Sequence, residues 1–201
     1  MKTLVLDAMG VIYAVGGDVG ELLCPFIHEN GGLTDDREIK AIYHDASLGR
    51  LSAREFWERV KIDPALEDAY LLRHRLSDGL LDFLSQARPR FASIWCLSND
   101  VSEWSRKLRE RFGLTQRIDG FVISGDVGIR KPDVAIYERL LERTNVKASD
   151  IIFVDDRIRN LDAASGLGFE TVVFGAAEGT SERHKGVASF SKLLDCLNRR
   201  E

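Results

Sequence analysis

The apolar positions of this chain fall into two regimes. Leu4-Val5-Leu6 form an unbroken apolar run that closes on Asp7 and a glycine turn at Gly10, and a run of that kind predicts a strand buried on both faces. After the loop Val15-Gly16-Gly17-Asp18, and as far as about Ser77, apolar residues recur only at helical spacing. Leu22, Leu23, Phe26 and Ile27 lie on a helix over 21–29 stopped by Asn30-Gly31-Gly32. Thr34 reads as the cap of a second helix through Ser47, with Gly49 as its stop. Ser52-Ala53-Arg54-Glu55 has capping-box form before Phe56, Trp57 and Val60, and Asp63-Pro64 opens a further helix toward Leu76. The aromatic residues Tyr43, Phe56 and Trp57 read as the core of this small helical bundle.

From Asp78 onward strand and helix patterns alternate, as they do in a parallel sheet with crossover helices. Strands are predicted at Ser93–Leu97, Phe121–Ile123, Ile151–Val154 and Glu170–Phe174, and a helix is expected to open at Lys131-Pro132. With the first strand these make a five-stranded α/β core formed by residues 1–13 and 82–201, interrupted by a helical insertion over 14–81. The tail from Ala176 to Glu201 reads as a loop followed by one helix.

Composition changes this picture little. At 201 residues, 44% hydrophobic and 30% charged, the chain can bury one good core plus an insertion. The net charge of -4 gives no support to nucleic acid or an anionic membrane as partner. Cys24, Cys96 and Cys196 are odd in number and far apart, which suggests neither a disulfide framework nor a zinc site. With no leader pattern ahead of the first strand and no long apolar span, a cytoplasmic location is expected.

Three strand ends carry polar groups: Asp7, Ser98-Asn99 and Asp155-Asp156. Singly, each could be a cap for the helix that follows, and Lys131 alone could be a surface lysine. Together they supply a carboxylate nucleophile, a hydroxyl and amide for phosphate oxygens, a cation, and two carboxylates for a divalent ion. Those are the parts phosphoryl transfer requires. Asp18, His44, Asp45 and Arg50 read as solvated surface groups.

The ordered series Asp7-Ala8-Met9-Gly10-Val11, Leu97-Ser98-Asn99, Gly128-Ile129-Arg130-Lys131-Pro132 and Phe153-Val154-Asp155-Asp156 resembles the four motifs of the haloacid-dehalogenase-like hydrolase superfamily. The helical insertion lies where that superfamily places its small (C1-type) cap. Arg130-Lys131-Pro132-Asp133 with Tyr137, and the Asp pair followed by Asn160, look closest to the sugar-1-phosphate phosphatase and epoxide-hydrolase N-terminal phosphatase branch. The resemblance implies a Rossmann-like sheet and a magnesium-dependent hydrolase of a small phosphorylated metabolite. Asp7 would form an aspartyl-phosphate. Magnesium would be held by Asp7, the Met9 carbonyl, Asp156 and, directly or through water, Asp155. Ser98, the Asn99 backbone and Lys131 would bind the phosphoryl group, and Asn160 would support the carboxylates.

One position departs from the pattern. Where most phosphatases of this kind carry a second Asp that protonates the leaving oxygen, this chain has Met9, and general acid–base help is worth about 10²–10⁴ in rate. A non-acidic residue there also occurs in haloacid dehalogenases, where it is usually Tyr and no metal is needed; the Asp155-Asp156 pair argues against that reading. Phosphonoacetaldehyde hydrolases need a cap lysine, and Lys40 and Lys61 lie on helices that read as solvated. A phosphate-binding protein without turnover remains the non-enzyme alternative.

Overall fold

A computed structural model of the chain describes residues 1–176 and 183–198. Its centre is a parallel sheet of β1 (Thr3–Leu6), β2 (Ser93–Ser98), β3 (Gly120–Ile123), β4 (Ile151–Asp155), β5 (Glu170–Phe174) and β6 (Lys185–Val187), in the order β3-β2-β1-β4-β5-β6. Successive residues of a strand face opposite sides, and both sides are buried. Leu4, Leu6, Ile94, Cys96 and Val154 pack on one face, and Val5, Leu97, Val122 and Phe153 on the other. This double burial is why the first strand is an apolar run rather than an alternation.

The α/β class is as expected, with one strand more. β6 adds to the outer edge of β5, pairing Lys185 with Val172 and Val187 with Phe174. Lys-Gly-Val is too short and too mixed to stand out in the sequence; its conformation comes from the open hydrogen-bonding edge beside it. The rest of the loop expected here, residues 177–182, lies outside the described residues, and the tail helix is α10 (Phe190–Asn198) as far as it is described.

Between β1 and β2 the chain runs through a wide turn of π type (Val19–Leu23), α1 (Cys24–Glu29), α2 (Asp36–Ala46), α3 (Ala53–Arg59), a short turn of 3-10 helix (Pro64–Leu66) and α4 (Glu67–Leu71). The Ser52–Glu55 capping box forms in both directions. Other caps differ from expectation. Asp35 rather than Thr34 caps α2, accepting from the Arg37 N–H, and the Asp63 helix breaks after Leu71, well short of Leu76. The two connecting segments are zipped together: Ala14 donates to Arg75 O, Ser77 donates to Ile12 O, and Tyr13 bridges Leu76.

The remaining helices are α5 (Leu80–Ala87), α6 (Ser102–Arg111), α7 (Ser124–Val127), α8 (Val134–Thr144) and α9 (Ile158–Gly166). α8 starts after the proline, not at it: Asp133 caps it by accepting from the Ala135 N–H, which leaves Lys131 in the loop ahead of the helix. The insertion's apolar residues, including Phe26, Phe56, Trp57 and Tyr70, belong to the same buried cluster as Leu4 and Leu6. Cys24, Cys96 and Cys196 are buried free thiols. Among the described residues no helix is long and apolar enough to cross a membrane.

Candidate active site

The strand order decides which side chains meet. β1 lies between β2 and β4, with Leu6 level with Cys96 on one side and Val154 on the other. Asp7 and Asp155, which come next, and Ser98, the last residue of β2, therefore sit at neighbouring carboxyl ends, where open α/β sheets bind ligands. Lys131 enters from the loop ahead of α8 and is 4% exposed. Its Nζ lies 2.7 Å from Asp7 Oδ1 and 2.7 Å from Asp155 Oδ2. Asp7 Oδ1 also accepts from the Ala8 N–H at 2.6 Å.

Each group is held by others. The Asn99 side chain donates to Lys131 O at 2.9 Å and accepts from the Lys131 N–H at 2.8 Å, so it clamps the lysine's backbone. Asn160 donates to both oxygens of Asp155, and the Arg157 N–H adds a third donor. Asp156 approaches the loop after Asp7 so closely that a Cβ at Gly10 or Gly16 would lie 2.5 or 2.4 Å from its Oδ2. Gly10, at φ +82°, supplies both the turn and the space.

Burial and mutual repulsion dominate the electrostatics. Burial, and then the neighbouring Asp155 charge, raise the Asp7 carboxyl well above its ordinary range despite Lys131. The same two causes push Asp156 up to about 6. For Asp155 burial acts upward too, but Lys131, the Arg157 N–H and Asn160 outweigh it and hold the carboxyl low. Lys131 is desolvated, yet Asp155 and Asp7 more than offset that and keep it protonated. Three side-chain oxygens in this region, Ser98 Oγ, Asp156 Oδ1 and Asn160 Oδ1, are buried without a hydrogen-bond partner, and Asp156 Oδ1 has the Arg157 Nε 3.9 Å away as an ion-pair contact. Buried polar atoms rarely stay so unless something else binds there.

A cavity of about 50 Å³ brings together Asp7, Met9, Ser98, Asn99, Lys131 and Asn160 from the sequence-derived set. Asp155 and Asp156 adjoin Asp7, and one carboxylate oxygen from each of the three lies within 4.8 Å of the others. The cavity also holds residues that sequence reasoning missed: Asp18, Tyr43, Arg130 and Arg157. Asp18 is the clearest correction. It was expected to be solvated, but it is 5% exposed, and burial lifts its carboxyl to about 6. Its position in a Gly-Gly-Asp loop looks like surface; it is buried because the loop folds back over Asp156. Tyr43 belongs to the bundle core as expected, but its hydroxyl also reaches the Asn99 carbonyl at 3.3 Å.

Comparison with known proteins gives the family. The sequence model of the haloacid dehalogenase-like hydrolases matches residues 1–168. This chain belongs to the haloacid dehalogenase-like hydrolase family. Among relatives of this hydrolase, the sesquiterpene phosphatase astK of Aspergillus oryzae is 29% identical over 89 residues, 44% of this chain and 45% of that protein. The chain thus spans under half the length of that phosphatase. (S)-2-haloacid dehalogenase 1 of a Pseudomonas species is 25% identical over 195 residues, covering 86% of this chain and 83% of its own. A solved haloacid-dehalogenase-family enzyme of Bacteroides thetaiotaomicron, in complex with magnesium and inorganic phosphate, superposes with a TM-score of 0.77 at 19% identity, over 90% of this chain and 98% of that one.

The residues of this family member fit a divalent cation. Asp7, Asp155 and Asp156 offer hard oxygen ligands gathered in one place, Lys131 neutralises one charge of the three, and Asp156 Oδ1, which accepts no hydrogen bond, has a lone pair to offer.

Proposed function

We propose that this hydrolase is a magnesium-dependent phosphomonoesterase that acts on a small phosphorylated metabolite through an aspartyl-phosphate at Asp7. The observation that carries the reading is the second carboxylate beyond the nucleophile. Asp155 is already satisfied by Lys131 and Asn160, whereas the buried Asp156 Oδ1 accepts no hydrogen bond and has only the Arg157 guanidinium, at 3.9 Å, as an ion-pair contact, which leaves it suited to a cation. Residues 14–81 would act as the cap over a core of 1–13 and 82–201.

In this reading Asp7, Asp156, the Met9 carbonyl and, directly or through water, Asp155 would hold magnesium. When bound, the cation offsets the negative charge that would otherwise repel a phosphate dianion. Asp7 Oδ1 is occupied by Lys131 and the Ala8 N–H, which leaves Oδ2 to attack phosphorus. A P–O bond to Asp7 forms as the ester P–O bond breaks, and water then cleaves the acyl phosphate to release inorganic phosphate. Ser98 Oγ, buried and unpartnered, is available to donate to a phosphoryl oxygen. The Asn99 backbone N–H adds a second donor, while its side chain keeps Lys131 in place.

Met9 cannot exchange a proton. Of the two carboxyl groups that line the cavity, Asp7 is committed to attack, so Asp18 is the group placed to protonate the leaving oxygen. The test is hydrolysis of aryl and alkyl phosphates with and without magnesium: turnover lost on chelation and in Asp7→Asn supports the reading. The similarity to a 2-haloacid dehalogenase over most of the chain makes metal-independent release of halide from a 2-haloacid the competing outcome. Phosphate binding without turnover would indicate a silent family member.

A further inference from the structure

The catalytic cavity is small, and its neck leads elsewhere. At about 50 Å³ it has room for a few water molecules or a group of phosphoryl size, since about 10–15 Å³ on this measure holds one water. The rest of a substrate must extend outward. A second, open hollow of about 510 Å³ adjoins it, and the two share Arg130 and Lys131. Its walls come from the end of α2 and the following turn, from the loop 128–133, and from Arg159 on α9.

The charges of this hollow are one-sided. Arg50, Arg130 and Arg159 line it against one carboxylate, Asp133, whose Oδ1 is taken by the Ala135 N–H. Arg50 is balanced by Asp45 at 2.9 Å. Neither Arg130 nor Arg159 has an ion-pair partner among the described residues. Arg130 is the more telling: its Nη1 is buried with no hydrogen-bond partner, and its guanidinium lies 5.7 Å from the centre of the Tyr43 ring, a contact that orients it without accepting a hydrogen bond. Asp18 and Asp100 feel its charge, but a buried guanidinium N–H left without a hydrogen bond is costly unless an acceptor arrives from outside. A guanidinium fork is matched to carboxylate and phosphate oxygens.

We infer that the substrate carries a second anionic group, a carboxylate or a second phosphate, on its leaving portion, and that Arg130 at the neck and Arg159 on the outer wall bind it. This rests on the phosphatase reading for the identity of the group in the cavity, but the recognition itself is a matter of binding. Lys131 and Arg130 are adjacent in the chain yet divide the work: the lysine faces the reacting carboxylate, and the arginine reads what is attached to the phosphate.

The test is calorimetry on the full chain with magnesium, using phosphonates, whose P–C bond a phosphatase does not cleave. Propylphosphonate carries one anionic group; 3-phosphonopropanoate adds a carboxylate and propane-1,3-bisphosphonate a second phosphonate. The expected result is at least tenfold tighter binding of one or both compounds that bear a second anionic group, with the stronger of the two telling carboxylate from phosphate. Arg130→Met should collapse that ratio toward one, and Arg159→Met should reduce it by a smaller factor. Arg139→Met, at a distant pair with Glu142, should leave it unchanged. Equal affinity for all three compounds, or a ratio that survives Arg130→Met, overturns the inference. Absence of turnover on any phosphate ester, with the affinity ratio intact, would instead count against the phosphatase reading alone.

Discussion

Two of the places where the helical insertion meets the sheet domain are opposite in character. In one, Trp104 of α6 packs against Tyr43, Phe56, Trp57 and Tyr70 of the insertion, with ring centres 5.1–6.2 Å apart. Glu67 Oε2 accepts from both the Trp57 and the Trp104 indole N–H groups at 2.9 Å, and Lys107 pairs with its other oxygen. In the other, contact is made by backbone. Ser124 Oγ donates to Ser47 O at 2.5 Å, and Gly49 comes so near Gly125 that a Cβ would lie 2.3 Å from its carbonyl oxygen. Beside that contact the surface opens into the cationic hollow. Aromatic burial fixes how the insertion sits; a thin polar contact sets the spacing while leaving room for a ligand.

The contrast predicts that changes near the opening cost activity and changes in the aromatic seam cost stability. Asp7→Asn should have the largest effect. It removes the attacking anion at nearly constant volume, so turnover should fall by on the order of 10⁴-fold or more, while the urea midpoint holds close to wild type. A folded Asp7→Asn protein with undiminished turnover would break the site assignment.

In the seam, Trp104→Ala should destabilise by about 3–5 kcal/mol through the cavity it leaves, as read by chemical denaturation. Glu67→Ala should cost less, about 1–3 kcal/mol, because it strands two buried indole donors. On the open side, Arg50→Ala removes an exposed pair worth about 0.2–1 kcal/mol. Equal losses at Trp104 and Arg50 would erase the distinction.

Asp18→Asn and Met9→Asp probe the proton. If Asp18 protonates the leaving oxygen, Asp18→Asn should slow alkyl esters by roughly 10²-fold, within the usual range for acid–base help, and aryl esters much less. Met9→Asp in that background should restore part of the loss. Stopped-flow and steady-state rates on both ester types decide it; no change of the alkyl-to-aryl ratio in Asp18→Asn would remove Asp18 from the mechanism.

One further effect concerns pH and belongs to the buried side. His74 is 4% exposed, its ring nitrogens lack partners, and it packs against Tyr13 and Tyr70. Burial, helped by Arg111, lowers its pKa to about 4 from 6.5. The unfolded chain binds that proton more readily, so stability is full above pH 6.5 and is lost as pH falls toward 4. Between pH 7 and 5 the loss should be about 2 kcal/mol, and His74→Leu should abolish this component. A wild-type pH profile unchanged by His74→Leu would discount it.

The chain order of Asp7, Ser98, Lys131 and Asp155-Asp156, each after an apolar run or turn, was enough to foresee a parallel sheet with these side chains gathered at its strand ends. Such runs are local, and buried parallel strands write them directly into composition. The capping box at Ser52–Glu55 was legible for the same reason. What the tertiary structure decided was long-range. Asp18 sits in a loop of polar and glycine residues and became part of the site because that loop folds over Asp156. The role of the Asn99 side chain, clamping Lys131, depends on a contact 32 residues away. Lys185–Val187 became a strand because β5 offered an unpaired edge. Trp104, one aromatic residue on an otherwise charged helix, became the anchor of the insertion because only the fold brings that helix beside α3 and α4. Local pattern records which face of an element is buried; it does not record what lies against that face.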